Sequence, residues 1–143
     1  MAREPLSVVV ITLNNAATLD ACLAGVDWAE EIVVLDSGST DDTLAIARRH
    51  GAHVATHAFD EFGPQKQRAI DMASHDWILN LDADEVLSPA SRAVIERALV
   101  QPKHAGFRLP RRERMFWTVQ HPWSSRNAHL RLYDRRRGRM NDV

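Results

Sequence analysis

The sequence predicts an α/β fold, with a mostly parallel sheet flanked by helices and a β-rich C-terminal extension. Four short apolar runs rich in β-branched residues alternate with four segments of helical pattern over the first hundred residues, the order that builds parallel sheets covered on both faces. After Gln101-Pro102 the helical segments stop and only strand patterns remain. With 143 residues, 45% hydrophobic and 26% charged, the chain has the size and composition of one globular domain.

Taken in order, Ser7-Val-Val-Val-Ile-Thr12 reads as a strand buried on both faces. A helix follows from about Thr18, its N-cap, to Val26. Glu31 to Asp36 is the second strand, and Ser39 to Asp42 has the pattern of a capping box opening a helix through His50. Gly51 stops that helix, and Ala52 to Thr56 is the third strand. Pro64 fits the first turn of a helix reaching about Ser74, and Asp76 to Asp82 is the fourth strand. Ser88-Pro89 caps a helix whose apolar stripe is Val94, Ile95, Leu99 and Val100. Ala105 to Leu109, Arg114 to Val119 and Ala128 to Tyr133 read as short strands.

Composition narrows the function classes. Uninterrupted apolar runs such as Val8 to Ile11 are far too short to span a bilayer. Met-Ala-Arg-Glu-Pro at the N-terminus lacks the apolar core of a secretion leader, and a lone cysteine, Cys22, excludes a disulfide framework. A cytoplasmic location is expected. Residues 1–100 carry 7 basic and 16 acidic side chains, whereas residues 101–143 carry 11 and 3. Either the basic segment folds back on the acidic body, or Arg135, Arg136, Arg137 and Arg139 give a peripheral contact with an anionic membrane. Nucleic acid is not expected as a partner, because the arginines alternate with apolar residues and no recognition module is legible.

In such sheets ligands bind beyond the carboxyl ends of the strands, and polar clusters fall there four times. They are Thr12-Leu-Asn14-Asn15, Asp36-Ser-Gly-Ser-Thr-Asp41, His57 with Phe62-Gly-Pro-Gln-Lys66, and Asp82-Ala-Asp84-Glu85. The sharpest is Asp82-Ala83-Asp84. Two acids one residue apart on an extended segment project to one side as hard oxygen ligands for a divalent cation such as Mg²⁺ or Mn²⁺. The alternative is a solvated acidic turn capping the next helix. No Gly-rich phosphate loop of the Walker or dinucleotide type is present to suggest a different phosphotransfer enzyme.

Ser7-Val-Val-Val-Ile-Thr-Leu-Asn14, Ile32-Val-Val-Leu-Asp-Ser-Gly-Ser-Thr-Asp-Asp-Thr43 and Trp77-Ile-Leu-Asn-Leu-Asp-Ala-Asp-Glu85 together resemble family 2 glycosyltransferases of the GT-A fold. Phe62-Gly-Pro-Gln-Lys-Gln-Arg-Ala69, Gly106-Phe-Arg-Leu-Pro-Arg-Arg112 and Leu130-Arg-Leu-Tyr133 are similar to the branch containing lipopolysaccharide-core β-1,4-glucosyltransferases. The resemblance runs from Leu6 to the end of the chain. It implies an inverting transfer from a nucleotide-diphosphate sugar, with UDP-hexose the expected donor, to a glycan or lipopolysaccharide-core acceptor. It places Asp84 as the direct metal ligand and Asp82 near the ribose. Thr12, Asn14, Asp36 and Ser37 fall at nucleotide-pocket positions, and Ser37 stands where many members have a second acid. Lys66 and Arg68 lie where cations approach the sugar nucleotide.

The resemblance further implies about residues 5–101 as the nucleotide-sugar-binding half and 102–143 as the start of the acceptor side. It expects the catalytic base in a His-Glu segment after the Leu-Arg-Leu-Tyr strand, beyond Val143. Glu113 and Asp134 are the available acids before that point. A nucleotide-sugar-binding module without the base is the competing class. Trp117, His121 and Trp123 suit either an acceptor pocket or a core, and His50, His53 and His57 lack the paired spacing of a zinc site. Cys22 reads as a small core residue.

Overall fold

The computed structural model describes residues 2–110, 114–115, 118–119 and 128–137. Strand β1 (Leu6–Thr12) leads through helix α1 (Leu19–Ala24) to β2 (Glu31–Asp36), then α2 (Thr43–Arg49), β3 (His53–Thr56), α3 (Phe62–Asp71), β4 (Trp77–Asp82) and α4 (Pro89–Ala98). Strands β5 (Gly106–Pro110), β6 (Arg114–Met115), β7 (Thr118–Val119) and β8 (Ala128–Asp134) follow, and a 3₁₀ turn spans Arg135–Arg137.

Six strands form one sheet in the order β3-β2-β1-β4-β8-β5. The first four pair in parallel, while β8 runs antiparallel to both β4 and β5. β6 and β7 form a separate antiparallel pair. The C-terminal strands therefore extend the central sheet, with β8 laid directly against β4.

The period-two pleat sorts each strand between two cores. Val8 and Val10, Ile32 and Val34, Trp77, Leu79 and Leu81, and Leu132 join Leu19, Leu23, Ile46, Ile95 and Leu99 on the face covered by α1, α2 and α4. Val9, Val33, Leu35, Ile78 and Tyr133 join Ala69, Ile70 and Ala73 on the face covered by α3. A strand apolar on both faces must be covered on both, which is why β1, β2 and β4 read as mostly apolar runs, with Ser7 and Asn80 buried among them.

Most local expectations hold, with shifts of a few residues at the ends. Ser88 caps α4 by accepting from the Ser91 N–H at 3.1 Å, and Pro89 occupies the first turn. Two differ. Of the stripe expected on α4, Ile95 and the C-cap residue Leu99 are fully buried, Val100 is half-buried and Val94 is exposed. The Ser39–Asp42 segment is not a capping box, since Asp42 makes no side-chain cap bond; its polar groups bind the neighbouring loop instead. Among the described residues no helix is long and apolar enough to cross a membrane.

Two of the four arginines expected to meet a membrane pair with the body. Arg135 donates to the Ile70 and Ala73 carbonyls at 3.0 and 2.8 Å, where the carbonyl end of α3 attracts a cation. Arg136 pairs with Asp134 at 2.7 Å and lies 3.6 Å from Asp76. These partners hold Arg135 and Arg136 against the fold, so the membrane contact centred on them has no support here. Arg137 is exposed, and Arg139 lies outside the described residues.

If β8 is integral to the sheet, Leu132→Ala, at a site 1% exposed, should lower unfolding free energy by about 2–4 kcal/mol. Urea denaturation measures it. A loss below about 1 kcal/mol would mark the strand as peripheral.

Candidate active site

The chain builds β1, β2 and β3 outward in one direction, then returns to place β4 on the other side of β1. The order reverses between β1 and β4, and the crevice outside their carboxyl ends is where such sheets take ligands. Thr12, Asp36 and Asp82 are the last residues of β1, β2 and β4.

The wall between β1 and β2 is organised by one buried carboxylate. Asp36 is fully buried and Thr12 is 3% exposed. The Thr12 and Ser39 hydroxyls each donate to Asp36 Oδ1 at 2.6 Å. The Gly38 and Ser39 N–H groups donate to Oδ2 at 2.9 and 2.7 Å. Gly38, at φ 105°, supplies the left-handed turn that aims both N–H groups inward. Burial pushes the Asp36 carboxyl up, but the bonds from Ser39, Thr12 and Gly38 outweigh it and hold it below the usual carboxylate range.

A second layer of bonds ties the two loops together. Asn14, in the left-handed region at φ 53°, donates its N–H to Ser39 Oγ at 2.8 Å and accepts from the Thr40 N–H at 2.9 Å. Asn15 N–H donates to Thr43 Oγ1 at 2.9 Å, and Asp41 accepts from the Ala16 and Thr43 N–H groups at 3.2 and 3.0 Å. Thr12 and Asp36, expected to touch a nucleotide, thus lie within the wall and bond each other. Asn14 is exposed at its lip and Ser37 is half-buried.

Gln65 falls in the Phe62–Lys66 cluster, but nothing in the sequence gives it a role of its own. It is fully buried on α3, donating to Ser37 Oγ at 3.2 Å and to the His57 carbonyl at 3.0 Å while accepting from Arg68 at 3.0 Å. It thereby orients Ser37 and joins the ends of β2 and β3. Its signal was weak: a glutamine on the same helix face as Ala69, four residues on. Arg68 also forms a bidentate pair with Asp60 at 2.8 and 2.6 Å.

Across the crevice, Asp82 ends β4 inside a turn closed by the Glu85 N–H to Asp82 carbonyl bond of 3.0 Å. The segment is a turn rather than the extended run expected. Lys66 Nζ stands 3.4 Å from Asp82 Oδ1, and Arg131 lies 3.6 Å from Oδ2 and 3.0 Å from Glu85. Lys66 and Arg131, the latter not among the candidates read from the sequence, thus face the two oxygens of the Asp82 carboxylate. Ala83 is buried and Asp84 is exposed. Beneath the turn, burial and then the carboxylates of Glu85, Asp84 and Asp82 push the Cys22 thiol up to about 12. Cys22 is a core residue as expected, its Sγ donating to the Asp82 carbonyl at 3.5 Å.

Among the described residues no three His, Cys, Asp or Glu side chains converge into a ready metal cage. The donor set still suits Mg²⁺ or Mn²⁺, which take one or two carboxylates and complete their shells with substrate phosphates and water. His53 and His57 are exposed, and His50 pairs with Asp20 at 2.8 Å. Asp134 pairs with Trp77 at the amino end of β4, on the opposite rim, and is bonded by Arg136, so it cannot serve this crevice. Glu113, Trp117, His121 and Trp123 lie outside the described residues.

The model of the family described as Glycosyl transferase family 2 matches residues 7–142. The chain is 33% identical over 144 residues to the lipopolysaccharide core biosynthesis glycosyltransferase LpsC of Rhizobium meliloti, covering 96% of this chain and 53% of that protein. Glucosyl-3-phosphoglycerate synthase from Mycobacterium tuberculosis, solved with Mn²⁺, UDP and glucosyl-3-phosphoglycerate, is similar at TM-score 0.51 and 29% identity, covering 56% of this chain and 33% of the other. S. aureus TarS superposes at TM-score 0.61 and 20% identity, covering 82% of this chain and 38% of the other, and shows the shared fold. The chain spans about half or less of the length of the curated relatives it matches.

At neutral pH Asp36→Asn should lose about 1–3 kcal/mol, since one amide oxygen replaces two acceptors and an NH₂ group meets donors. The folded carboxyl titrates below its unfolded value, so its stabilisation is complete above the unfolded value and fades as pH falls through the folded one. The gap between variant and wild type in denaturant melts should therefore narrow below about pH 4. A gap constant down to about pH 2 would assign the loss to packing.

Proposed function

The chain belongs to glycosyl transferase family 2, and on that premise we propose that it binds a nucleotide-diphosphate sugar, a UDP-hexose, for inverting, metal-dependent transfer to a saccharide or lipopolysaccharide-type acceptor in the cytoplasm. The observation that carries the reading is the Lys66–Asp82 pair at the carboxyl end of β4, with Asp84 exposed beside it and Asn14 and Ser37 following the carboxyl ends of β1 and β2 in the same parallel sheet. The name of LpsC supports the class of acceptor. The Mn²⁺ and UDP bound by the mycobacterial synthase support the class of donor and cofactor.

In this reading Asn14 and Ser37 face the nucleoside, Ser37 being held in place by Gln65. Thr12 and Asp36 keep the wall rigid behind them. Asp82 lies beside the ribose and Asp84 holds the divalent cation. Lys66, an ammonium already 3.4 Å from Asp82, supplies positive charge toward the diphosphate. The cation, when bound, offsets the charge that develops on the departing diphosphate.

Inversion requires the acceptor hydroxyl to attack the anomeric carbon from the face opposite the diphosphate, with a carboxylate taking its proton. That carboxylate is proposed to follow β8 in the whole protein, and residues 102–143 to begin the acceptor side. A nucleotide-sugar-binding module is the second reading, favoured by the placement of Asp134 at the far rim.

Calorimetry with a UDP-hexose should give affinity about tenfold or more higher in Mn²⁺ than in chelator. Asp84→Asn should remove that difference while the melting temperature stays unchanged. Equal affinity in both media takes the metal out of the reading, and a collapsed melt makes Asp84 structural. Transfer assays on this chain and on a C-terminally longer one separate enzyme from binding module.

A further inference from the structure

We propose that Arg131 is the resident counter-charge of the donor site and sets how that site divides its affinity between divalent cation and diphosphate. The inference rests on the nucleotide-sugar reading above. Arg131 is 6% exposed. On β4, Asn80 and Asp82 alternate in phase with Ile78, and on β8 Arg131 alternates in phase with Tyr133; Ile78 and Tyr133 both belong to the core beneath α3. The pleat thus carries the Arg131 side chain to the same face as Asp82.

The guanidinium fills the space between the two strands and the turn. Nη1 donates to the Asn80 carbonyl at 3.3 Å and lies 3.0 Å from Glu85 Oε1. Nη2 lies 3.3 Å from Glu85 Oε2 and 3.6 Å from Asp82 Oδ2. Lys66 approaches the other Asp82 oxygen at 3.4 Å. The Asp82 carboxylate is therefore faced by two cations, one on a helix side chain and one rooted in a buried strand.

A guanidinium stays charged at any accessible pH, so Arg131 permanently offsets one of the acids at the Asp82–Glu85 turn. Without it, Asp82, Asp84 and Glu85 would have Lys66 as their one nearby cation among the described residues and would carry a net negative charge. Such a group attracts a divalent cation more strongly and repels a diphosphate. With it, the cation is held loosely until phosphate oxygens complete its shell, which makes cation and donor bind as a pair.

The test reads two affinities whose shifts must oppose each other. Calorimetry with Mn²⁺ alone and with UDP in chelator is run on wild type, Arg131→Met, Arg131→Lys, Glu85→Gln and the Arg131→Met/Glu85→Gln double variant, with thermal melts alongside. Arg131→Met should bind Mn²⁺ about three- to tenfold more tightly and UDP weaker by a similar factor. Arg131→Lys, which keeps the charge, should stay near wild type. The double variant restores the balance of charge and should return both affinities toward wild type. If Arg131→Met alone does not fold, the double variant compared with Glu85→Gln must show the same opposed shifts. Affinities that fall together, affinities that do not move, or a lysine that fails to rescue overturn the proposal. A wild type that binds no UDP in either medium overturns the donor reading instead, while the Mn²⁺ measurement still decides the sign at Arg131.

Discussion

A sheet covered on both faces can display polar chemistry only at the ends of its strands, and this molecule is built around that constraint. β1, β2 and β4 are apolar on both sides because α1, α2 and α4 cover one face and α3 the other. Any hydroxyl or carboxylate in their interiors would need an internal partner. The polar residues Thr12, Asp36 and Asp82 therefore stand at the last position of each strand, and the reversal of strand order opens a crevice there.

Within that rim the two sides are held differently. On the β1–β2 side a single buried carboxylate, Asp36, takes four donors and turns two loops into one wall. Leaving such a group unpaired would be costly, so the wall stays rigid as long as its donors are in place. Gln65 extends the same order to Ser37 and the end of β3. On the β4 side the order is ionic, with Asp82 and Glu85 facing Lys66 and Arg131. A wall hydrogen-bonded around one buried carboxylate thus opposes a salt-bridged one across the crevice. That division suits a ligand with a nucleoside at one end and a diphosphate at the other.

The C-terminal segment links both themes. Three of its arginines pair with acids of the body, Arg131 at the carboxyl rim and Arg135 and Arg136 at the amino rim. The same strand contributes Leu132 to one core and Tyr133 to the other. Because β8 lies against β4, the geometry of the Asp82 turn depends on a strand nearly fifty residues further along the chain.

The strands, their two-faced burial and the rim where polar groups gather were legible in the sequence because they arise from local patterns: continuous apolar runs, and turn residues following them. Lys66 and the pair Asp82 and Asp84 could be marked as candidate site residues for the same reason. The direction of each side chain could not. Thr12 and Asp36 bond each other, Arg68 turns to Asp60, and the Asp82–Glu85 segment closes into a turn; each outcome depends on which donors lie within reach once the loops meet. Gln65 and Arg131 look like ordinary polar residues in the chain, and only packing against distant elements buries and aims them. The place of β8 between β4 and β5 is a long-range antiparallel pairing, and no local periodicity encodes which strand a strand will choose, since pairing is decided by the faces and edges left open when the rest of the sheet has formed.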